Sequence, residues 1–420
     1  MAAKEESNKK KIKSPASNTA EATPKQGGGV ARLKILIVNY EFPPVGGGGG
    51  VAAKDLALEW VKNAQVDVLT MSFKGLPKKE ITDGINIYRA KALFRKSRDV
   101  TPFITMLTYV ISAFFKGISL MRKNRYDVIN THFAVPTGPV GCFLSKAFKV
   151  PNVLSLHGGD IYDPSKKTSP HKSLFYKKVI RFIINSADAV IAQSGNTREN
   201  AIKYYGITRE IGVVPLPFHA PKLPAVNRKA LGLKARNFYF ITVGRLIKRK
   251  DIDTMLHGFA SATLPDRANL LILGDGPELA HLTQLAETLK IRERITFAGY
   301  VSDEMKYKYL TAADCYIMTS MHEGFGIVFM EAMHCGLPII STDQGGQTDF
   351  LKNGKTGLLV SVGDVAECGA AMERLFKDGD FCMRCAANNK RAVTRFAADK
   401  VAEKYFKEFI KLAKKNGKEK

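Results

Sequence analysis

Gly244, Arg245 and Lys250 follow directly on Phe238–Val243, a run of aromatic and β-branched residues whose composition predicts a buried strand. In an α/β sheet the carboxyl end of such a strand is where ligands gather. Arg245 offers a planar fork of donors and Lys250 a point charge, a pair suited to a diphosphate. Read alone, with Lys248 and Arg249 beside them, the same residues equally make a solvated basic loop. Asp251-Ile252-Asp253 comes next and opens a predicted helix carrying Met255, Leu256 and Phe259; helix capping is the simpler reading of this acidic pair than metal binding.

The second constellation is Glu323-Gly324-Phe325-Gly326 with Glu331. Glu323 sits in a Gly-rich turn after the predicted strand Cys315–Met318, and Glu331 about two turns into the helix that follows. Carboxylates so placed accept paired hydrogen bonds from hydroxyls; the bland reading is one capping Glu and one solvent-facing Glu. His157-Gly158-Gly159-Asp160 stands at the carboxyl end of the predicted strand Val153–Leu156. Gly46–Gly50 lies between the strand Leu33–Asn39 and a helix predicted from Val51 to about Asn63. It is either a loop whose backbone approaches a phosphate or a flexible connection. It is not the dinucleotide fingerprint, since no G-x-G-x-x-G frame leads to an acid ending a second strand. Cys382 and Cys385 have CxxC spacing but fall in a helical pattern without a second pair or nearby His, so neither zinc nor redox chemistry is expected. Cys142, Cys315, Cys335 and Cys368 read as small buried hydrophobes.

The elements that must position these groups form two series. Leu33–Asn39, Val66–Met71, Ile85–Arg89, Val128–Thr131, Val153–Leu156, Ala189–Ala192 and Gly212–Val214 alternate with helical stretches. Pro215, Pro217, Pro221 and Pro224 interrupt the pattern. It then resumes with Phe238–Val243, Leu270–Leu273, Ile295–Phe297, Cys315–Met318, Pro338–Ser341 and Gly357–Val360. The alternation predicts an α/β chain of two facing Rossmann-like domains with a deep cleft at the carboxyl ends of their strands. The expected boundaries are 1–30 as a disordered basic tail, 31–216 as the first domain and 217–396 as the second. A final helix, 397–415, should return to complete the first domain through Val401, Tyr405, Phe409 and Leu412.

At 420 residues, with 45% hydrophobic and 25% charged residues, wholesale disorder and a disulfide scaffold are excluded, and six Cys suit a reducing compartment. The net charge of +25 favours an anionic partner; residues 31–217 contribute +14 of it. Charge alone would suit nucleic acid, but no reader motif or aromatic-basic platform is present and there is one Trp. No signal peptide opens the sequence, which points to the cytoplasm. Pro102–Phe115 is apolar but shorter than the roughly twenty residues of a membrane span. The wider stretch Lys91–Arg125 mixes Arg95, Lys96, Arg98, Lys116, Arg122, Lys123 and Arg125 with Phe103, Ile104, Leu107, Val110, Ile111, Phe114 and Phe115. It suits either peripheral contact with an anionic membrane or a helix packed on the first sheet.

Taken in order, the motifs resemble the retaining two-Rossmann-domain (GT-B) glycosyltransferases, in particular family 4 and the glycosyl transferases group 1. The resemblance rests on Pro43-Pro44 with Gly46–Gly50, His157–Asp160, Gly244-Arg245-Leu246 with Lys250, Gly274–Pro277, Glu323–Gly326 with Glu331-Ala332-Met333, Gly336-Leu337-Pro338, Gly345-Gly346 and Gly354–Val360. It implies that Arg245 and Lys250 bind the diphosphate of a UDP- or GDP-sugar, and that Glu331 accepts from the ribose hydroxyls. Glu323 and His157 would lie beside the donor sugar. Gly47 and Gly48 would close on the diphosphate, and Gly244 belongs to the same basic motif. The amides after Gly324, at Phe325 and Gly326, would meet sugar and phosphates, and Phe297–Val301 would form the base-binding edge. The implied reaction is a metal-independent hexosyl transfer with no cofactor, on a glycan or lipid-linked acceptor of cell-surface polysaccharide synthesis; the alternative is a soluble transferase of storage or osmolyte sugars. The sequence departs from the resemblance at Asp251, where Gly is usual, and at Val214–Pro217, where Asn-Gly is usual.

Overall fold

In the computed structural model, residues 32–95, 102–166 and 168–418 are described, and those from Leu33 onward form one compact unit. The expected tail, Lys96 and Arg98, and the side chain of Phe103 lie outside the described residues.

The first sheet comprises β1 (Lys34–Val38), β2 (Gln65–Met71), β3 (Lys79–Thr82), β4 (Ile85–Ala90), β5 (Val128–His132), β6 (Asn152–Leu156), β7 (Ala189–Ala192) and β8 (Gly212–Val213). Its order is β3-β4-β2-β1-β5-β6-β7-β8, parallel except for the antiparallel edge pair β3–β4. The sequence reading missed β3: its four residues, Lys-Glu-Ile-Thr, are mostly exposed and carry no apolar run. Helices α1 (Gly48–Trp60), α2 (Phe103–Lys123), α3 (Gly138–Phe148), α4 (Leu174–Ser186) and α5 (Gly195–Tyr205) connect the strands.

The second sheet comprises β9 (Phe238–Val243), β10 (Ala268–Leu273), β11 (Ile295–Gly299), β12 (Cys315–Met318), β13 (Ile339–Thr342) and β14 (Gly357–Val360). It is parallel, in the order β11-β10-β9-β12-β13-β14. Its helices are α6 (Ile252–Ser261), α7 (Leu279–Thr288), α8 (Asp303–Ala312), α9 (Ile327–His334), α10 (Val365–Lys377) and α11 (Gly379–Val393). The last helix, α12 (Ala398–Lys418), crosses back to the first sheet. Val401, Ala402, Tyr405 and Phe409 are buried in one core with Trp60, Val66 and Ile85. The Trp60 indole N–H donates to the Ala402 carbonyl at 3.1 Å, and its ring centroid lies 4.9 Å from that of Phe409. Burying one such aromatic side chain stabilises the fold by ~2–3 kcal/mol.

The two readings of Lys91–Arg125 divide along α2. Tyr109, Ala113, Leu120 and Met121 are buried with Leu36, Leu69 and Ile129, which anchors the helix on the first sheet. Ile104, Leu107, Ile111 and Phe115 are exposed on its outer side. Ile104–Lys123 is long and apolar enough by composition to cross a membrane, which the shorter stretch Pro102–Phe115 did not suggest, yet a third of it is buried in the protein. At the crossing between domains, Phe218 N–H donates to the Phe396 carbonyl at 2.8 Å, pinning the two strands of chain together.

Candidate active site

The carboxyl end of β9 turns through Gly244 and Arg245 into a short helical turn, Lys248–Lys250, and then into α6. Gly244, Arg245 and Lys250 line one small hollow with Met318. Lys250 Nζ donates to Glu323 Oε1 at 2.6 Å, so two residues read separately in the sequence form one ion pair. Arg249 completes it: one guanidinium nitrogen lies 3.1 Å from Glu323 Oε2 and donates to the His322 carbonyl. Ser320 Oγ donates to Glu323 Oε1 at 2.8 Å. Burial would raise the Glu323 pKa, but Arg249 and Lys250 outweigh it and hold the carboxyl well below its ordinary range. Lys250 shifts down: burial comes first and Arg249 and Arg245 add to it, against the opposing pull of Glu323.

Sequence reading set Arg249 aside as part of a solvated loop. In the structure it is largely enclosed and also lies 3.9 Å from Asp163 of the first domain, so it reaches across the interface. Its signal was the single-turn spacing of Lys248–Lys250, which turns neighbouring side chains in different directions. Asp251 adopts φ 47°, ψ 47°, the left-handed conformation that Gly adopts most readily. The departure from Lys-Gly therefore leaves the backbone path open to Asp. The capping expectation needs correction: no side-chain oxygen of Asp251 caps the backbone of α6. Instead Asp251 Oδ2 accepts from Thr254 Oγ1 at 2.8 Å, and Asp253 in the first turn lies 2.6 Å from His281 Nε2.

Glu331 is buried on the second turn of α9. Oε1 accepts from Lys306 Nζ of α8 at 2.6 Å, while Oε2 is buried without a hydrogen-bond partner. Burial raises its pKa and Lys306 opposes that rise. Lys306 was not singled out in the sequence. The Phe325 ring packs in the core, 5.0 Å from Phe350 and 5.7 Å from Phe396, so only the backbone of Phe325 is available to a ligand. Val301 lies just beyond β11, half-buried against the second domain's core.

Facing these groups are neutral ones from the first domain. Asn130 donates to the Val153 carbonyl at 3.0 Å and Ser155 Oγ at 3.1 Å, which leaves its Oδ1 as the acceptor from His132 Nε2–H at 2.7 Å. Burial pushes His132 well below its ordinary pKa and His157 down to about 3, so both rings are neutral at pH 7. His132 Nδ1 is then an acceptor, and His157 Nε2–H donates to it at 2.9 Å. His157 Nδ1 is thereby left a bare acceptor, buried and unpartnered. It faces the glycine run: a Cβ on Gly49 would lie 3.3 Å from it and 2.3 Å from Phe133 Cζ. His132 ends β5 as His157 follows β6, so the same strand-end rule could have found it.

The walls meet through glycines. A Cβ on Gly158 would stand 2.8 Å from Gly324 Cα, and one on Gly48 would lie 3.3 Å from Ile327 Cδ1. Ser194 Oγ donates to the Gly324 carbonyl at 2.8 Å, and Gly195 N–H to Asp349 Oδ2 at 2.7 Å. Gly47 precedes α1 and Gly326 precedes α9; neither helix has a cap from its N-cap side chain or an acid in its first turn, although the Gly47 N–H itself donates to Glu41 Oε2 at 2.9 Å. Among the described residues, no three His, Cys, Asp or Glu side chains gather as a metal-binding group.

Residues 46–219 match the family described as Glycosyltransferase Family 4, and residues 225–392 that described as Glycosyl transferases group 1. The chain is 26% identical over 387 residues to N-acetyl-alpha-D-glucosaminyl L-malate synthase of Bacillus anthracis, covering 89% of this chain and 96% of that one. It is 28% identical over 271 residues to UDP-Gal:alpha-D-GlcNAc-diphosphoundecaprenol alpha-1,3-galactosyltransferase of Escherichia coli, covering 62% and 68%. Sucrose-phosphate synthase from Thermosynechococcus elongatus superposes with a TM-score of 0.79 at 24% identity, over 91% of this chain and 99% of that one.

Proposed function

We propose that this chain, a glycosyltransferase on the GT-B fold, moves a hexosyl group from a UDP- or GDP-sugar to a glycan or lipid-linked acceptor of cell-surface polysaccharide synthesis, with retention of anomeric configuration. The carrying observation is the pairing of Arg249 and Lys250 with Glu323, with Arg245 lining the same hollow as Lys250 at the end of β9. This concentration of positive charge suits a leaving diphosphate. Electrostatic stabilisation of that anion is the main catalytic contribution. The unpartnered Glu331 Oε2 suits a ribose hydroxyl, with Val301 on the base side. The bare His157 Nδ1 suits a hydroxyl of the donor sugar.

In the reaction the bond from C1 to the diphosphate oxygen breaks and its electron pair leaves with the diphosphate. The acceptor oxygen attacks C1 from the same face, and its proton passes to the departing diphosphate. Arg245, Lys250 and the helix ends neutralise the anion, so the reaction proceeds without a metal, and Asp251 and Asp253 are engaged by Thr254 and His281. The E. coli relative's name supports a nucleotide-sugar donor and a lipid-linked acceptor. The B. anthracis relative's name supports a second reading, a small soluble acceptor. The enzyme acts in the cytoplasm in either case.

The test is a screen of UDP- and GDP-sugars for a rise in melting temperature and for turnover in excess chelator, with the product anomer read by NMR. Donor-dependent stabilisation, chelator-resistant turnover and a retained anomer are expected. Inversion, or activity lost to chelator and restored by manganese, overturns the corresponding part.

A further inference from the structure

The outer surface of the first domain combines exposed apolar and basic side chains. Helices α2, α3 and α4 cover one side of its sheet, and none of their residues is Asp or Glu, while seven are Lys or Arg. Their inner faces are core: Tyr109 and Ala113 from α2, Val140 and Leu144 from α3, Ile180 and Ile184 from α4. Their outer faces carry large apolar groups that the fold leaves uncovered. Ile104, Leu107, Ile111 and Phe115 recur at helical spacing on α2, each 47–72% exposed. On α4, Leu174, Phe175 and Phe182 are 78%, 70% and 58% exposed. Phe143 of α3 bridges them: its ring centroid lies 5.1 Å from that of Phe114, and Lys146 of the same helix stands over the Phe182 ring at 4.8 Å.

The position of the apolar groups is informative. Connections between parallel strands run back antiparallel to them, so α2 and α4 begin at the carboxyl edge of the sheet, where the cleft opens. For α2 this agrees with a direct contact: Leu93, just after β4, donates its N–H to Thr108 Oγ1 of the helix at 3.1 Å. The exposed Ile104, Leu107, Leu174 and Phe175 therefore crowd the cleft end of the layer, with Lys177, Lys178 and Arg181 directly behind on α4.

We propose that the α2–α3–α4 face is a docking surface for an anionic phospholipid bilayer. Apolar side chains at its cleft end enter the headgroup region, and the surrounding cations meet lipid phosphates. This goes beyond the glycosyl-transfer reading and does not depend on it. A nucleic-acid partner is less suited, because Ile104, Leu107, Ile111 and Leu174 expose aliphatic side chains that neither stack on bases nor pair with phosphates.

The test is co-sedimentation of the full chain with vesicles of phosphatidylcholine alone and with about a third phosphatidylglycerol, at low and high salt. Three triple variants are compared with wild type: Ile104→Ser/Leu107→Ser/Ile111→Ser, Lys177→Glu/Lys178→Glu/Arg181→Glu, and, on the opposite side, Lys404→Glu/Lys414→Glu/Lys415→Glu. Donor hydrolysis without vesicles and melting temperature check that each variant is folded. The wild type should bind the anionic vesicles in a salt-sensitive way, and the first two variants should bind at least about tenfold more weakly while the α12 variant matches wild type. Absence of wild-type binding at low salt, equal binding to neutral vesicles, or equal losses in the α4 and α12 charge reversals overturns the proposal. So does a wild-type dimer by sedimentation that the serine variant dissociates, since a second copy would then be what covers the face.

Discussion

On the second-domain wall of the cleft the anchoring side chains form ion pairs: Lys250 and Arg249 with Glu323, Lys306 with Glu331. On the first-domain wall the groups beside the glycine run are neutral, His157 bonded to His132 and His132 to Asn130, and the carboxylates are engaged elsewhere: Asp160 by the Ala134 and His157 N–H groups, Asp163 towards Arg249. Both walls are about equally buried, so burial does not explain the difference. A buried cation is tolerable only beside a compensating carboxylate, and β12 supplies Glu323 at the end of its loop. The carboxylate nearest in sequence to His157, Asp160, accepts from the backbone N–H groups of Ala134 and His157 instead of from the ring, so burial alone lowers the pKa of His157. One wall can bind charge; the other can come close to a ligand and read hydroxyls without competing for its phosphates.

The sharpest way to break this division is Lys250→Ala. It removes a cation from the side assigned to charge and leaves Glu323 with Arg249 alone. Turnover should fall by a factor on the order of 100–1000, with KM changing far less. Single-turnover kinetics with the identified donor would check it, and near-wild-type kcat would end the assignment of charge to this wall.

Next in size is the neutrality of the opposite wall. A His whose pKa is lowered on folding is neutral in the native state and charged in the unfolded one between the two pKa values. Its contribution to stability is therefore present above about pH 6.5 and is lost as pH falls towards about 3. The ring NMR signals of His132 and His157 should stay those of neutral imidazole from pH 8 to 5. A midpoint near the unperturbed value of about 6.5 in either would refute the neutral wall.

The smallest effect concerns the backbone beneath the charged wall. Asp251→Gly should raise stability by ~0.5 kcal/mol, since Gly takes the left-handed conformation without the steric cost that Asp bears, offset in part by the lost bond from Thr254. Chemical denaturation would measure it, and a clear loss of stability would mean that the Asp251–Thr254 bond outweighs the backbone strain.

Much of this layout was legible in the chain. The strand runs and the Pro-rich crossing marked the two sheets because fully buried parallel strands are continuous apolar runs. Glu323 and Glu331 stood out through the glycines around them. Arg249 and Lys306 did not, since a surface Lys or Arg and one buried against a distant carboxylate look alike in sequence. Their partners, Glu323 and Glu331, lie 74 and 25 positions away. The exposed face of α2 was hidden for a related reason: apolar residues that pack and apolar residues that do not share one alphabet, and only the placement of Tyr109 and Ala113 against the sheet separates them.

The return of α12 to the first sheet sets an order of events during synthesis. Trp60, Val66 and Ile85 emerge from the ribosome early, yet Val401, Tyr405 and Phe409, which complete their core, follow β8 by about 185 residues. At roughly 5–20 residues per second, the first domain waits on the order of 10–40 seconds with that apolar surface uncovered. The second domain, whose strands are contiguous, can fold within that interval. The nascent chain is thus inverted in time: the part made first is finished last, and throughout the wait a chaperone has an open hydrophobic face to hold.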